Sequence, residues 1–286
     1  MTNVEVFKDT QDQIKTNSSL FQLNQNAVNN TCVYATGFVS DKIVSPRKTS
    51  ISFEENLTLR AAIRMVDGGK KTAVLNFANP IEPGGGVLRG ANAQEEYLCR
   101  AGNLYNCLIS DNAKLYYQYH NELLKMNEKN NMFLGSDMII YSPNVTFFKE
   151  DIGFVQGEVC KPIQEYTDKW RMIDVITCAA PFFSSEQYIL SAGDLYHLLC
   201  VRIRNIFETA IENNVDAIIL GAFGCGAFHN PPKVVAKAFK TVLLEKRYSN
   251  AFYNVIFAVK RSGIYCENIN VFEMIFKEFV PSGESY

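Results

Sequence analysis

The chain has 286 residues, 47% of them apolar and 20% charged, with a net charge of −2 and a pI near 6.0. That length supports a large core with no need of disulfides or metal. The near-neutral balance excludes a global attraction to a phosphate backbone, so a nucleotide must be held by local features such as backbone amides.

The elements follow in chain order. Residues 8–27 are predicted helical and polar, and 30–50 irregular or short strand. EENLTLRAAIRMVDGG (54–69) is an amphipathic helix that buries Leu59, Ala62, Ile63 and Val66 and stops at Gly68-Gly69. TAVLNFA (72–78) is a continuous apolar run, as in a strand covered on both faces. A glycine-rich loop follows, then QEEYLCRAGNLYNCL as one helix and 112–127 as another. DMIIYSP (137–143) and DVITCAA (174–180) read as buried strands, 188–213 as a long helix and DAIILGA (216–222) as a strand. PPKVVAKAFKTVLLEK (231–246) is a helix with proline in its first turn, NVIFAVK (254–260) a strand and NINVFEMIFKEF (268–279) a closing helix. Short apolar strands alternating with helices predict an α/β fold with a mixed, largely parallel central sheet. No linker divides the chain, so residues 1–286 are expected to form a single domain, with 1–50 as an N-terminal helical and irregular extension packed on it.

In such sheets ligands bind beyond the carboxyl ends of the strands, and two strands here end in glycine-dense loops. The first reads Asn79-Pro80-Ile81-Glu82-Pro83-Gly84-Gly85-Gly86 and leads to Gln94-Glu95-Glu96 at a helix start. Three consecutive glycines let backbone N–H groups approach an anion closely. The two carboxylates lie a short loop away. A helix N-terminus lowers a carboxyl pKa, whereas a second carboxylate and a diphosphate raise it, so the pair is expected to split into one acid and one base. The bland reading is a tight turn followed by acids that suit a helix dipole; the combination at the end of a buried strand favours chemistry. The second loop, Gly221-Ala222-Phe223-Gly224-Cys225-Gly226-Ala227-Phe228, precedes the helix at Pro231-Pro232 and reads as an anion seat. Cys225 reads as a packing thiol in preference to a nucleophile. No acidic residue closes the following strand, Ala258-Val259-Lys260, which excludes a Rossmann fingerprint, and the absence of GK[ST] excludes a P-loop.

The eight cysteines include no CxxC, and Cys178 and Cys200 sit in apolar runs, which favours a reducing compartment. His120, His197 and His229 fall in no metal-ligand spacing, and no metal or cofactor is expected. The start MTNVEVFKDT lacks a basic and an apolar region, and no apolar run approaches the ~20 residues that span a bilayer. A cytoplasmic location without membrane partners is therefore expected.

LNFANPIEPGGGVLRGANAQEEYLCR resembles the catalytic loop of the poly(ADP-ribose) glycohydrolases, in which a triple glycine is followed by QEE; here seven residues, 87–93, stand between them. The NFA-type strand end, YSPNVTFFK (141–149), DVITCAAP and LGAFGCGAFHNPP (220–232) are similar to the microbial-type branch of that family. The resemblance implies a macrodomain-like three-layer α/β/α fold that binds ADP-ribose and hydrolyses ribose–ribose O-glycosidic bonds of poly(ADP-ribose). It implies Glu96 as the acid/base and Glu95 as the holder of the ribose hydroxyls. Gly84, Gly85 and Gly86, with Gly224, Cys225, Gly226 and Ala227, would embrace the diphosphate. Phe228 would orient the distal ribose, and Asn79, Val87 and Gln94 join the substrate-binding set. Expected partners are poly(ADP-ribose) or ADP-ribosylated macromolecules and the product ADP-ribose, with no sequence-specific nucleic-acid contact. Three alternatives stay open: an ADP-ribose reader without turnover, a hydrolase of mono-ADP-ribose on protein or nucleic acid, and an unrelated nucleotide-binding α/β protein.

Overall fold

The structure, a computed structural model, describes residues 2–127, 135–150, 161–162, 169–183, 190–260 and 267–277. Two helices open it, α1 (Asn3–Thr16) and α2 (Ser18–Asn30), followed by strands β1 (Cys32–Tyr34) and β2 (Ser50–Glu54). Then come α3 (Thr58–Asp67), β3 (Thr72–Phe77), α4 (Gln94–Ala101), α5 (Leu104–Leu108), α6 (Lys114–Asn127) and β4 (Ile139–Phe147). A two-stranded ribbon, β5 (Lys149–Glu150) and β6 (Lys161–Pro162), precedes β7 (Arg171–Cys178). The chain continues through α7 (Ala192–Glu212), β8 (Ala217–Leu220), α8 (Pro232–Leu243), β9 (Asn254–Ala258) and α9 (Asn268–Lys277).

The seven-stranded sheet has the order β1-β4-β7-β3-β8-β9-β2. Neighbours from β7 to β2 pair parallel, whereas β4 runs antiparallel to both β1 and β7. Strand periodicity sorts the core onto two faces. Ala73, Leu75, Ile218, Leu220, Val255 and Phe257 face α7, α8 and α9. Val74, Val175, Ile219 and Ile256 face the layer built by α3, α4, α5 and α6. The result is the three-layer, largely parallel α/β/α arrangement expected from the alternation of elements.

Several boundaries differ from the sequence expectation, each for a local reason. The polar N-terminal helix is two helices, because the Asn17 side chain accepts hydrogen bonds from the amides of Ser19 and Leu20 and starts a new helix. SISFE, expected to be irregular up to Ser50 and helical from Glu54, is the edge strand β2; its outer residues are half-exposed and carry little periodic signal. The helix over QEEYLCRAGNLYNCL breaks at Gly102, which pairs with Phe147 as an isolated bridge; a side chain there would collide with the Thr146 carbonyl. Strand β4 continues past Pro143 through a register irregularity between Ser142 and Val145, with Asn144 at φ 53. Residues 188–189 and 278–279 of two predicted helices lie outside the described residues.

The topology places the site. From β3 the chain leaves to α4, α5 and α6 on one face, and it reaches β8, on the other side of β3, by way of α7 on the opposite face. The carboxyl ends of β7, β3, β8 and β9 therefore open onto one crevice.

Candidate active site

A cavity of about 450 Å³ fills this crevice. Phe77 lines it from the end of β3, Asn79 and Ala180 from just beyond β3 and β7, Gly224, Gly226, Ala227 and Phe228 from the loop after β8, and Val259 and Lys260 from beyond β9. The first turn of α4 supplies Gln94, Glu95 and Glu96, and Asn56, Leu57, Thr58 and Asn268 close the far end.

Glu95 and Glu96 are both buried, at 2% and 7% exposure. Glu95 accepts hydrogen bonds from the Asn79 amide at 2.7 Å and from Asn76 Nδ2 at 3.3 Å. Burial pushes its carboxyl up to about 8; the Asn79 amide, Asn76 and Gly84 oppose that rise, and the Glu96 charge adds to it. Glu96 Oε1 accepts from the Gly86 amide at 2.8 Å, and its Oε2 is a buried oxygen without a hydrogen-bond partner. One carboxylate oxygen of Glu96 is thus fixed, and the other is buried with no donor among the described residues.

The two glycine loops play different parts. Gly84 and Gly85 have φ of 70° and 57°, and a Cβ on Gly85 would lie 2.5 Å from Glu96 Oε1 and 3.1 Å from Glu95 Oε2. The triple glycine thus wraps the carboxylates from behind, and Val87 is fully buried in the core. Tyr105 packs beneath, 2.8 Å from a Cβ placed on Gly84, and Phe7 of α1 meets the Tyr105 ring edge-on at 4.9 Å. The second loop faces the cavity more directly. A Cβ on Gly226 would meet nothing within 4 Å. Turns tie down the amides of Cys225, His229 and Asn230, whereas the amides of Gly226, Ala227 and Phe228 donate to no protein acceptor among the described residues. Phe228 stands against Phe182 with ring centroids 5.5 Å apart.

Two sequence-predicted residues have their side chains committed to the scaffold. Gln94 donates to the Leu75 carbonyl at 2.8 Å and accepts from the Phe77 amide at 2.9 Å, which locks α4 onto β3. Asn79 Oδ1 accepts from the amides of Ile81 and Glu82, each at 2.9 Å, and shapes the entry of the loop. Cys225 is buried with its thiol pushed well above the ordinary range, as a packing group would be. Sequence reading missed Asn76, the one polar side chain inside β3 after Thr72; a polar residue in a continuous buried run was the available signal. It also missed Asn56, Lys260 and Asn268, which no local motif marks.

The family description "Microbial-type PARG, catalytic domain" matches residues 4–150, about half of the chain, including both glutamates and the triple glycine. The chain belongs to this family. No curated protein matches it. Among solved structures, poly(ADP-ribose) glycohydrolase from Thermomonospora curvata is similar with a TM-score of 0.78 at 26% identity, over 96% of this chain and 99% of that one. The same enzyme bound to the inhibitor ADP-HPD gives 0.76 at 26% identity, over 95% and 98% of the two chains. Poly(ADP-ribose) glycohydrolase from Deinococcus radiodurans in complex with ADP-ribose gives 0.69 at 27% identity, over 90% and 98%. The three-layer sheet is therefore the macrodomain-type fold of the microbial glycohydrolases, and the cavity lies where a doubly wound sheet binds its ligand.

Proposed function

We propose that the cavity binds ADP-ribose with its distal ribose against Glu96, and that Glu96 is the acid/base of glycosidic cleavage. As a member of the microbial glycohydrolase family the chain is a glycosidase of poly(ADP-ribose). The amides of Gly226, Ala227 and Phe228 seat the diphosphate, Phe228 packs on the distal ribose, and Glu95 receives the ribose hydroxyls. The adenosine end points to Asn56, Leu57, Asn268 and Lys260, the part of the wall farthest in the sheet from α4. Residues 1–286 form one domain in this reading, with 1–50 as an extension on the core, and the protein acts in the cytoplasm without a cofactor. Among the described residues, no helix is long and apolar enough to cross a membrane and no cluster of side chains could hold a metal ion.

The chemistry is general acid/base catalysis by one principal carboxyl group. Protonated Glu96 gives its proton to the departing oxygen through Oε2, while the Gly86 amide holds Oε1 in place. Positive charge develops on the ribose beside the diphosphate, whose two charges stabilise it in a site with little water. Glu96 then takes a proton from the attacking water. The observation that carries this reading is the unpartnered Oε2 of a buried, hydrogen-bonded carboxylate on the cavity wall. An ADP-ribose reader would leave that buried acceptor unsatisfied for no return.

Glu96→Gln tests the assignment, since it keeps the shape and removes the proton. Its ADP-ribose affinity by calorimetry should stay within about threefold of wild type while kcat on poly(ADP-ribose) falls ~10²–10⁴-fold. Near-normal turnover in that variant would remove Glu96 from the mechanism.

A further inference from the structure

Arg89 stands on the outer side of the catalytic loop, in the short 3-10 turn Val87–Arg89. Its guanidinium forms a fork on Glu82, with Nη2 2.7 Å from Oε2. Both side chains are open to water, at 66% and 38% exposure, so the pair adds little stability and can be exchanged for another anion. The same guanidinium lies beside the proposed acid. A methyl carbon placed on Gly86 would be 3.6 Å from Arg89 Nη2 and 3.6 Å from Glu96 Oε1, so the two groups flank one point, and the Glu96 charge acts directly on Arg89. Arg89 is not on the cavity wall, so it lies outside the space that takes the ADP-ribose unit being released.

The backbone that carries it is held from several sides. The Asn3 side chain donates to the Gly90 carbonyl at 3.0 Å, and Val4 lies 3.1 Å from a Cβ placed on Gly90. Arg100 donates to the Ala91 carbonyl and to Asn92, both at 2.6 Å. A cation is thus mounted on a fixed turn, paired among the described residues with the exposed Glu82 alone, next to the group proposed to protonate the leaving oxygen.

We propose that Arg89 determines specificity for the leaving group: it lets go of Glu82 and takes the diphosphate of the next ADP-ribose unit in the polymer. This rests on the glycosidase reading above. In poly(ADP-ribose) the departing oxygen belongs to a ribose whose 5′ carbon carries that diphosphate, a few bonds from Glu96. A forked guanidinium suits it, giving two charge-assisted hydrogen bonds to one phosphate. A substrate whose leaving group lacks phosphate gains nothing from Arg89.

The test compares kcat/KM on poly(ADP-ribose) with kcat/KM on ADP-ribose joined through its distal anomeric carbon to a neutral phenol. Arg89→Ala should lower the polymer-to-phenol ratio about tenfold or more and flatten the salt dependence of polymer cleavage. Glu82→Gln frees the guanidinium and should leave that ratio unchanged or raise it. An unchanged ratio in Arg89→Ala overturns the proposal. So does a parallel fall in Glu82→Gln, which would reduce the pair to a structural staple. Arg89→Gln, which keeps the aliphatic stem, gives the same readout should the alanine variant fail to fold. If wild-type protein cleaves neither substrate, it is the glycosidase reading that has failed and not the role of Arg89.

Discussion

Two adjacent glutamates with nearly equal burial acquire different surroundings, and the difference is physical. Glu95 faces the β3 end and is so desolvated that burial outweighs the amide of Asn79 and the side chain of Asn76, leaving its carboxyl at about 8. The native state therefore binds the Glu95 proton more tightly than the unfolded chain. Its stabilising contribution is complete below the ordinary value of 4.5 and is lost as pH rises through about 8. Glu95→Gln removes this titration. Its stability relative to wild type should rise from pH 5 to pH 8 by on the order of a few kcal/mol and then level off, seen as a matching rise in relative Tm. A difference in Tm that is flat with pH would show that Glu95 is ionised throughout. The sequence marked the pair itself, since two acids beside a glycine cradle stand out. It did not reveal Asn76 or the orphaned Oε2 of Glu96, which depend on strands brought together from distant parts of the chain.

At the scale of elements, the two glycine loops looked alike in sequence, as anion cradles at strand ends, yet they are used differently. The first is folded around the carboxylates and the second lines the cavity. Gly85→Ala would force a side chain into the left-handed region and against Glu96 Oε1. Displacing the proposed acid in this way should lower kcat by about 10²-fold with a smaller loss of ADP-ribose affinity, read by turnover and calorimetry on the same variant. Gly226→Ala has room for its methyl, so Tm should hold within about 0.5 kcal/mol of stability while ADP-ribose binding weakens roughly tenfold as the methyl covers the open amides. The reverse pattern, with Gly226 structural and Gly85 tolerant, would exchange the roles given to the loops. The break at Gly102 went unread in the sequence although a glycine marks it, because the reason it must be glycine is the close pass of Thr146 and Phe147, more than forty residues onward.

Across the whole molecule, α1 buttresses the site from outside the sheet through Asn3 on Gly90, Phe7 on Tyr105 and Thr10 on the Arg100 carbonyl at 2.6 Å. Lys149, buried at the start of β5 just after β4, donates to the Val6 carbonyl at 3.0 Å and to Asp9 at 2.6 Å, which ties α1 to the strands. Asp9→Asn takes one carboxylate away from that buried ammonium and should cost about 1–3 kcal/mol, seen as a drop of several degrees in Tm; no drop would mean that the Asp9 charge does not help to hold α1. By itself the sequence determined the alternation of strands and helices, the two glycine loops and the glutamate pair, because periodicity, glycine and charge are properties of short stretches of chain. Tertiary structure alone decided the strand order, which of the loops lines the cavity, the raised carboxyl of Glu95 and the place of Arg89 beside Glu96. Each of these is fixed by burial and by contacts between segments far apart in sequence, and no local pattern encodes them.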